Sequence, residues 1–457
     1  MPEVGTGGDR AGASAAASGD TDSRPGVGGR TAAGGWVALV WALVYLVCAL
    51  TYGAMIRPWY APDEPMHLDY IRILSTEARF PTFEETHQTQ QPPLYYLLMV
   101  PFYRLGSSFG PTGGGHAVRI VSALLGLLTL GAVWLAARVA FPNRRRVALL
   151  ALGCAALWPA FQYAGGCVNN DALATLLYGV WVWQTALLLR DGLKPRRAVM
   201  VGLVCSAALL TKETGFVLAF LSFVTCAAAV VGALRRRRAA PWAGLGWFLL
   251  CAAVLPGAWF ARNLSVYGQL TPHANPQKMS DYQLVGSLIE YPEWRSAFVR
   301  TTFSTGKESL RGLWAPFWIA RILEVESVTP ALEVMWVMVP VALTCFVGLV
   351  WFLGLRAPDP TTARAFAWLL IAAVVLLFLG VLRYTILIDP TALRAGRYMA
   401  TAVPALALLA AVGLDRLLGR GRHRLPIEAA FGILLLGLAV YYLLGAHYFY
   451  ASSLYTL

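Results

Sequence analysis

Charge is scarce in this chain. Only 13% of its 457 residues are Asp, Glu, Lys or Arg, against about 25% in soluble domains. A water-soluble globule is therefore excluded as the main body of the molecule. Histidine is rare, with 6 copies, and acidic residues are outnumbered by basic ones, 24 to 37. The 7 cysteines form no CxxC pair and have no metal-ligand spacing. All but Cys167 fall inside apolar runs, where a thiol packs as a small hydrophobe, the reading favoured over a cysteine-held metal centre. No repeat relates the two halves, and no nucleic-acid motif accompanies the net charge of +13.

What the chain has in abundance is apolar surface. Hydrophobic residues make up 58%, with a mean hydropathy of +0.58. Runs long enough to cross a bilayer predict eleven spans: 36–56, 118–140, 147–163, 171–190, 197–211, 214–234, 240–260, 331–354, 364–384, 398–415 and 426–446. The fold class is an all-α integral membrane bundle. Residues 1–34, rich in Gly, Ala, Ser and Asp, read as a disordered cytoplasmic tail. Its length and mixed charge do not fit a signal peptide. Residues 35–457 form the transmembrane domain, with no large soluble domain expected after the last span. The short apolar stretch 92–105 contains Pro101 and reads as a surface or re-entrant helix.

Lys and Arg gather in alternate loops, including Arg144-Arg145-Arg146 and Arg235 to Arg238. The positive-inside rule then places the N-terminus in the cytoplasm and the C-terminus outside. It also explains the basic balance without nucleic acid as a partner. Mixed charge, Trp, Tyr and His concentrate in three external segments, 57–117, 261–330 and 385–397. That face is where the chain is expected to work.

The first external segment begins Ala61-Pro62-Asp63-Glu64-Pro65-Met66-His67. Pro65 suits the first position of a helix, which makes Glu64 the expected N-cap. Met66, Tyr70, Ile71, Ile73 and Leu74 then form an apolar stripe expected to face lipid. Carboxylates facing a shielded cleft are material for general-base or metal chemistry. The plainer alternative is a capped surface helix whose acids favour the helix dipole. Gln90-Gln91-Pro92-Pro93-Leu94-Tyr95-Tyr96 follows, a rigid start to the next helix or an aromatic belt.

An Asp-Glu pair after the first span, a Pro-Pro-Leu-Tyr-Tyr element and Arg119 opening the second span resemble the GT-C superfamily of integral-membrane glycosyltransferases. Protein O-mannosyltransferases and lipid A aminoarabinose transferases are its members; this chain looks most like a bacterial branch with no assigned reaction. Asn169-Asn170-Asp171, Leu210-Thr211-Lys212, Ala261-Arg262-Asn263 with Tyr267-Gly268, the Trp-rich Leu313 to Trp318 patch and Gly396-Arg397-Tyr398 match in order. Gln91 departs from the pattern, standing where the branch has His.

The resemblance implies transfer of a sugar from a polyprenyl-phosphate-linked donor to an envelope glycan, lipid or protein acceptor. The reaction is expected on the extracytoplasmic face of the cytoplasmic membrane, with inversion. Asp63 is the implied base, and Glu64 orients the acceptor, helps hold a metal or caps the helix. Lys212, Arg262 and Arg397 are implied clamps for the lipid phosphate, or else snorkel to headgroups. Tyr398, Asp171, Gln91 and Tyr95 join them as candidate binding residues; Asp171 alternatively caps its helix or pairs with a cation. No cofactor is identified; a divalent metal at His67, with Asp63 or Glu64, stands against a simple hydrogen-bonded His67. Two readings from other classes are a transporter or flippase of a lipid-linked substrate and a structural partner in envelope assembly.

Overall fold

The computed structural model describes residues 27–56, 59, 61, 63–272, 346–347, 349–354, 361–387, 396–418, 433, 436, 437 and 440. Among them there are helices and no strand. Seven helices are long and apolar enough to span a membrane, and an eighth span results if Arg145–Ala156 and Pro159–Gly166 count as one bent crossing. This is a multi-pass membrane protein. Predicted spans 331–354 and 426–446, the tail before Val27 and the Trp-rich patch lie largely or wholly outside the described residues.

The first helix, α1 (Val27–Met55), begins inside the segment read as a tail, although its membrane-length apolar part starts at Gly35. Next come α2 (Glu64–Glu77), a 3-10 turn (His87–Gln90) and α3 (Leu94–Ser107). Helix α3 is amphipathic. Tyr95, Tyr96 and Met99 are buried, while Leu97, Leu98 and Leu105 are exposed. Two closely packed spans follow, α4 (Gly113–Ala140) and α7 (Asp171–Asp191).

Between them the predicted span 147–163 is broken. Helix α5 (Arg145–Ala156) and α6 (Pro159–Gly166) meet at 61°. Pro159 is the cause: the residue before a proline is driven out of the helical region, and Trp158 sits at φ −78°, ψ 113°. Helix α6 then crosses α1 so closely that a Cβ on Gly166 would lie 2.7 Å from the Ala49 carbonyl oxygen.

The predicted span 197–211 is also shorter than expected. Helix α8 (Pro195–Leu209) has 15 residues, about 22 Å of rise, and packs on α10 (Trp242–Tyr267). Helix α9 (Gly215–Arg235) starts after the polar Thr211 to Thr214 turn. Later in the chain, α11 (Thr361–Leu387), a 3-10 turn (Gly396–Ala402) and α12 (Val403–Leu418) complete the described bundle.

Two corrections concern α2. Its helix starts at Glu64, so Asp63 is the N-cap and Glu64 is already inside. The apolar stripe does not face lipid: Tyr70, Ile71, Ile73 and Leu74 are at most 7% exposed. Tyr70, Ile71 and Leu74 pack with Tyr95, Tyr96, Met99 and Val118 in a second core. Helix periodicity identifies an apolar face but does not say whether lipid or protein covers it.

Candidate active site

The start of α2 is wired to three other elements through one carboxylate. Glu64 is fully buried and Arg119, on α4, is 3% exposed. Arg119 Nε donates to Glu64 Oε1 at 2.8 Å and Nη2 to Oε2 at 2.5 Å. The backbone N–H of Val168 adds a third bond to Oε1 at 3.0 Å, and that of Trp59 a fourth to Oε2 at 3.1 Å. Arg119 Nη1 donates to two carbonyls where α1 ends, Gly53 (2.8 Å) and Ile56 (2.5 Å). The planar guanidinium fork suits this two-sided task, which an ammonium does not match.

Next to it in sequence, Asp63 is treated differently. It is half-buried, and its backbone is left-handed at φ 62°. Asp tolerates that conformation better than most residues. Its side chain makes no helix-capping hydrogen bond. Trp59, also left-handed at φ 75°, has its N–H held by Glu64. Trp59 and Asp63 are thus both left-handed, and Glu64 holds the first of them through its N–H. Backbone strain of this kind persists only where the surroundings enforce it.

An aromatic file runs outward from this point. His67 Nδ1 lies 2.9 Å from the Tyr96 hydroxyl, and the Tyr96 ring stacks on Tyr70 at 3.7 Å. Burial lifts the Tyr96 hydroxyl well above its ordinary pKa, and Tyr70, Tyr95, Asp171 and Asp63 push the same way. Tyr70 is raised by burial too, with Arg262 opposing. Asp63, Asp171 and Arg262 therefore all act on one pair of stacked tyrosines. Tyr95 is fully buried, 3.4 Å from Ser122 Oγ.

Arg262, near the end of α10, lies over three rings: Trp259 at 5.0 Å, Phe80 at 5.2 Å and Tyr267 at 5.4 Å. Its Nη1 donates to Asn263 Oδ1 at 3.1 Å, and no carboxylate pairs with it among the described residues. Beside it Gln90, Glu213, Asn263 and Trp259, together with Pro92, Leu209, Phe216 and Phe260, line a small and largely apolar crevice of about 10 Å³, room for about one water molecule. The Trp259 indole N–H is buried there without a hydrogen-bond partner.

Lys212 and Asp171 are both buried and form an ion pair across the starts of α7 and α9. Asn170 Nδ2 ties the same corner to Gln91 Oε1 at 3.0 Å and to the Thr211 carbonyl at 3.1 Å. The Leu94 N–H bonds the Leu210 carbonyl at 2.9 Å, seating α3 on this turn. Arg397 and Tyr398 fall in the 3-10 turn Gly396–Ala402, with their side chains outside the described residues.

Most predicted site residues thus meet at one end of the bundle. Arg119 was legible only as the arginine opening a span; its place in the site was not. An ionisable residue inside an apolar helix signals a partner, but Glu64 lies 55 residues away. The residues do not fit a metal that includes Glu64, whose oxygens already take four donors, two from a cation. Among the described residues no three His, Cys, Asp or Glu side chains gather into a metal-binding group.

Residues 90–260 match the family described as Dolichyl-phosphate-mannose-protein mannosyltransferase. The structure resembles ArnT from Cupriavidus metallidurans bound to undecaprenyl phosphate, at TM-score 0.50 and 16% identity, over 93% of this chain and 76% of that one. The chain has the GT-C fold. It also resembles the Archaeoglobus fulgidus oligosaccharyltransferase in complex with Zn and sulfate, at TM-score 0.54 and 16% identity, over 90% of this chain. Of that oligosaccharyltransferase the chain spans about half, 52%. A search of curated proteins finds no match.

Proposed function

We propose that the protein is a glycosyltransferase that moves a sugar from a polyprenyl-phosphate donor to an envelope acceptor on the extracytoplasmic face. One observation carries the reading: of two adjacent carboxylates, Glu64 is saturated and enclosed while Asp63 is held partly open in a strained loop. That is a division between a positioning residue and a working base. The similarity to a family of dolichyl-phosphate-dependent transferases and to ArnT supports the donor class.

The reaction is a displacement at the anomeric carbon. The acceptor hydroxyl oxygen forms the new bond, and its proton passes to the Asp63 carboxylate. The bond from sugar to phosphate breaks, its electron pair leaves with the polyprenyl phosphate, and the configuration inverts. Arg262 is the clamp for the departing phosphate; its aromatic seat leaves guanidinium edges to face an anion. Lys212 is already engaged by Asp171 and braces the corner that holds Gln91. Arg397 and Tyr398 complete the proposed donor site.

The test is donor consumption by purified protein in lipid, with radiolabelled polyprenyl-phosphate sugars, for wild type and Asp63→Asn. Asn also tolerates a left-handed backbone, so the variant keeps the loop. Turnover by wild type with a fall of about 100-fold or more in the variant supports the reading. Equal turnover in both removes Asp63 from catalysis. Movement of intact donor across the bilayer without cleavage replaces transfer with transport.

A further inference from the structure

The end of the bundle opposite Glu64 carries a second charged cluster that sugar transfer does not use. Helix α4 runs about 30 Å from Arg119 to Ala140, and the chain then turns through Phe141 into Arg144, Arg145 and Arg146. Phe141 meets two other elements there: Phe366, in the first turns of α11, at 6.3 Å, and Phe352, in helical residues 349–354, at 6.2 Å. The last turns of α12 join them. Asp415 Oδ2 accepts from Arg144 Nη1 at 3.2 Å, and Asp415 Oδ1 lies 3.6 Å from Arg146 Nη1.

Among the described residues this corner holds more arginine than carboxylate. Arg416 lies 5.6 Å over the Trp351 ring, and Arg364 stands two residues before Phe366. Among the described residues, Asp415 is the one acid paired there, and the buried Nε atoms of Arg364 and Arg416 have no hydrogen-bond partner. A half-buried guanidinium without a counter-ion is costly, because its solvation is lost and nothing replaces it. Trp351 is 44% exposed, the position of an interfacial anchor at headgroup level.

We propose that this corner, between the α4–α5 turn, helical residues 349–354, the start of α11 and the end of α12, binds the phosphate of an anionic phospholipid. Arg364 and Arg416 supply charge-assisted bonds to the phosphate oxygens, and Trp351 packs on the glycerol and first methylenes. Arg144 and Arg146 remain with Asp415, which keeps the site from being a bare repulsive cluster. The site is independent of the proposed transfer reaction.

Native mass spectrometry from mixed detergent micelles tests this directly. The probes are phosphatidylglycerol, phosphatidylcholine and inorganic phosphate. Wild type should retain phosphatidylglycerol over phosphatidylcholine by about tenfold. The double variant Arg364→Gln/Arg416→Gln should lose that preference. Arg235→Gln/Arg236→Gln, at the exposed end of α9, should keep it. Arg364→Lys/Arg416→Lys preserves charge and controls for folding; it should retain a reduced preference. An unchanged preference in the Gln pair overturns the proposal. So does an equal loss in the α9 pair, which indicates general basicity, or full displacement of the lipid by inorganic phosphate.

Discussion

Arg119 and Arg79 each grip carboxylate oxygens of the segment between α1 and α4, one inside the protein and one in water. Arg119 and Glu64 are 3% and 0% exposed, and their bonds tie α4 and α2 to the end of α1 and to the backbone at Val168. Arg79 holds Glu85 through both terminal nitrogens and Glu77 through Nε at 2.8 Å, but the three side chains are 32–42% exposed. The bond lengths are alike. What differs is what happens when one partner goes: water replaces the missing partner at Arg79, and nothing does so at Arg119.

The largest effect should come from breaking the inner pair. Arg119→Leu leaves a buried carboxylate with two of its four donors gone and frees the end of α1. A loss of about 3–5 kcal/mol is expected, read as a lowered unfolding temperature in detergent. Arg119→Lys should fall between, because an ammonium cannot bond Glu64 in parallel and still reach Gly53 and Ile56. If Arg119→Leu melts like wild type, the buried pair does not anchor α2.

A smaller loss is expected from the packing that brings α1 to the pair. A methyl group on Gly166 would stand 2.7 Å from the Ala49 carbonyl and 3.0 Å from the Gly53 N–H nitrogen, too close for either helix backbone to absorb without moving. Gly166→Ala should cost about 1–3 kcal/mol. It should also weaken activity, since Gly53 and Val168 both meet the Glu64–Arg119 pair. An unaltered melting curve shows that α6 shifts freely.

Smaller again is the stability effect at Asp63. Asp63→Asn should change stability by no more than about 0.5 kcal/mol, because the backbone conformation suits both residues and no capping bond is lost. Equilibrium unfolding of the pair Asp63→Asn and Glu64→Gln separates the two adjacent acids. The first should be nearly silent and the second costly. Equal losses would remove the distinction on which the proposed base rests.

The multi-pass membrane class was legible because apolar length is a local signal. The break at Trp158-Pro159 and the short α8 were less so, since a hydropathy run does not register a bend. Asp63, Lys212 and Arg262 stood out as charges at span ends. Asp171 was expected to pair with a cation, but which one was not legible, because Asp171 and Lys212 are 41 residues apart; the rings around Arg262 were not legible either, since they come from two segments. The apolar face of α2 was visible, but its covering by α3 depends on a contact that periodicity does not encode. In the same way, Glu64 and Glu85 look alike in sequence, and only burial separates them.

The smallest effect belongs to the outer cluster, and it is a matter of pH. Hydrogen bonds from Arg79 and from the Thr82 N–H hold Glu85 down from an ordinary 4.5 to about 2. Glu84 is lowered as well, through its own backbone N–H and Thr82. A carboxylate with a depressed folded pKa adds stability above its unfolded pKa and loses it as pH falls through the folded one. The clasp should therefore be intact from pH 7 to about 4.5 and be lost progressively towards about 2. Arg79→Gln should lower the melting temperature only slightly at neutral pH, since water solvates the freed acids and screens the pair. Hydrogen exchange at the Thr82 N–H, bonded to Glu85 Oε2 at 2.9 Å, reads the clasp itself. Its protection should fall only in strong acid for wild type, and at a distinctly higher pH for Arg79→Gln. If the two profiles coincide, Arg79 does not set the Glu85 titration, and the contrast with Arg119 rests on burial alone.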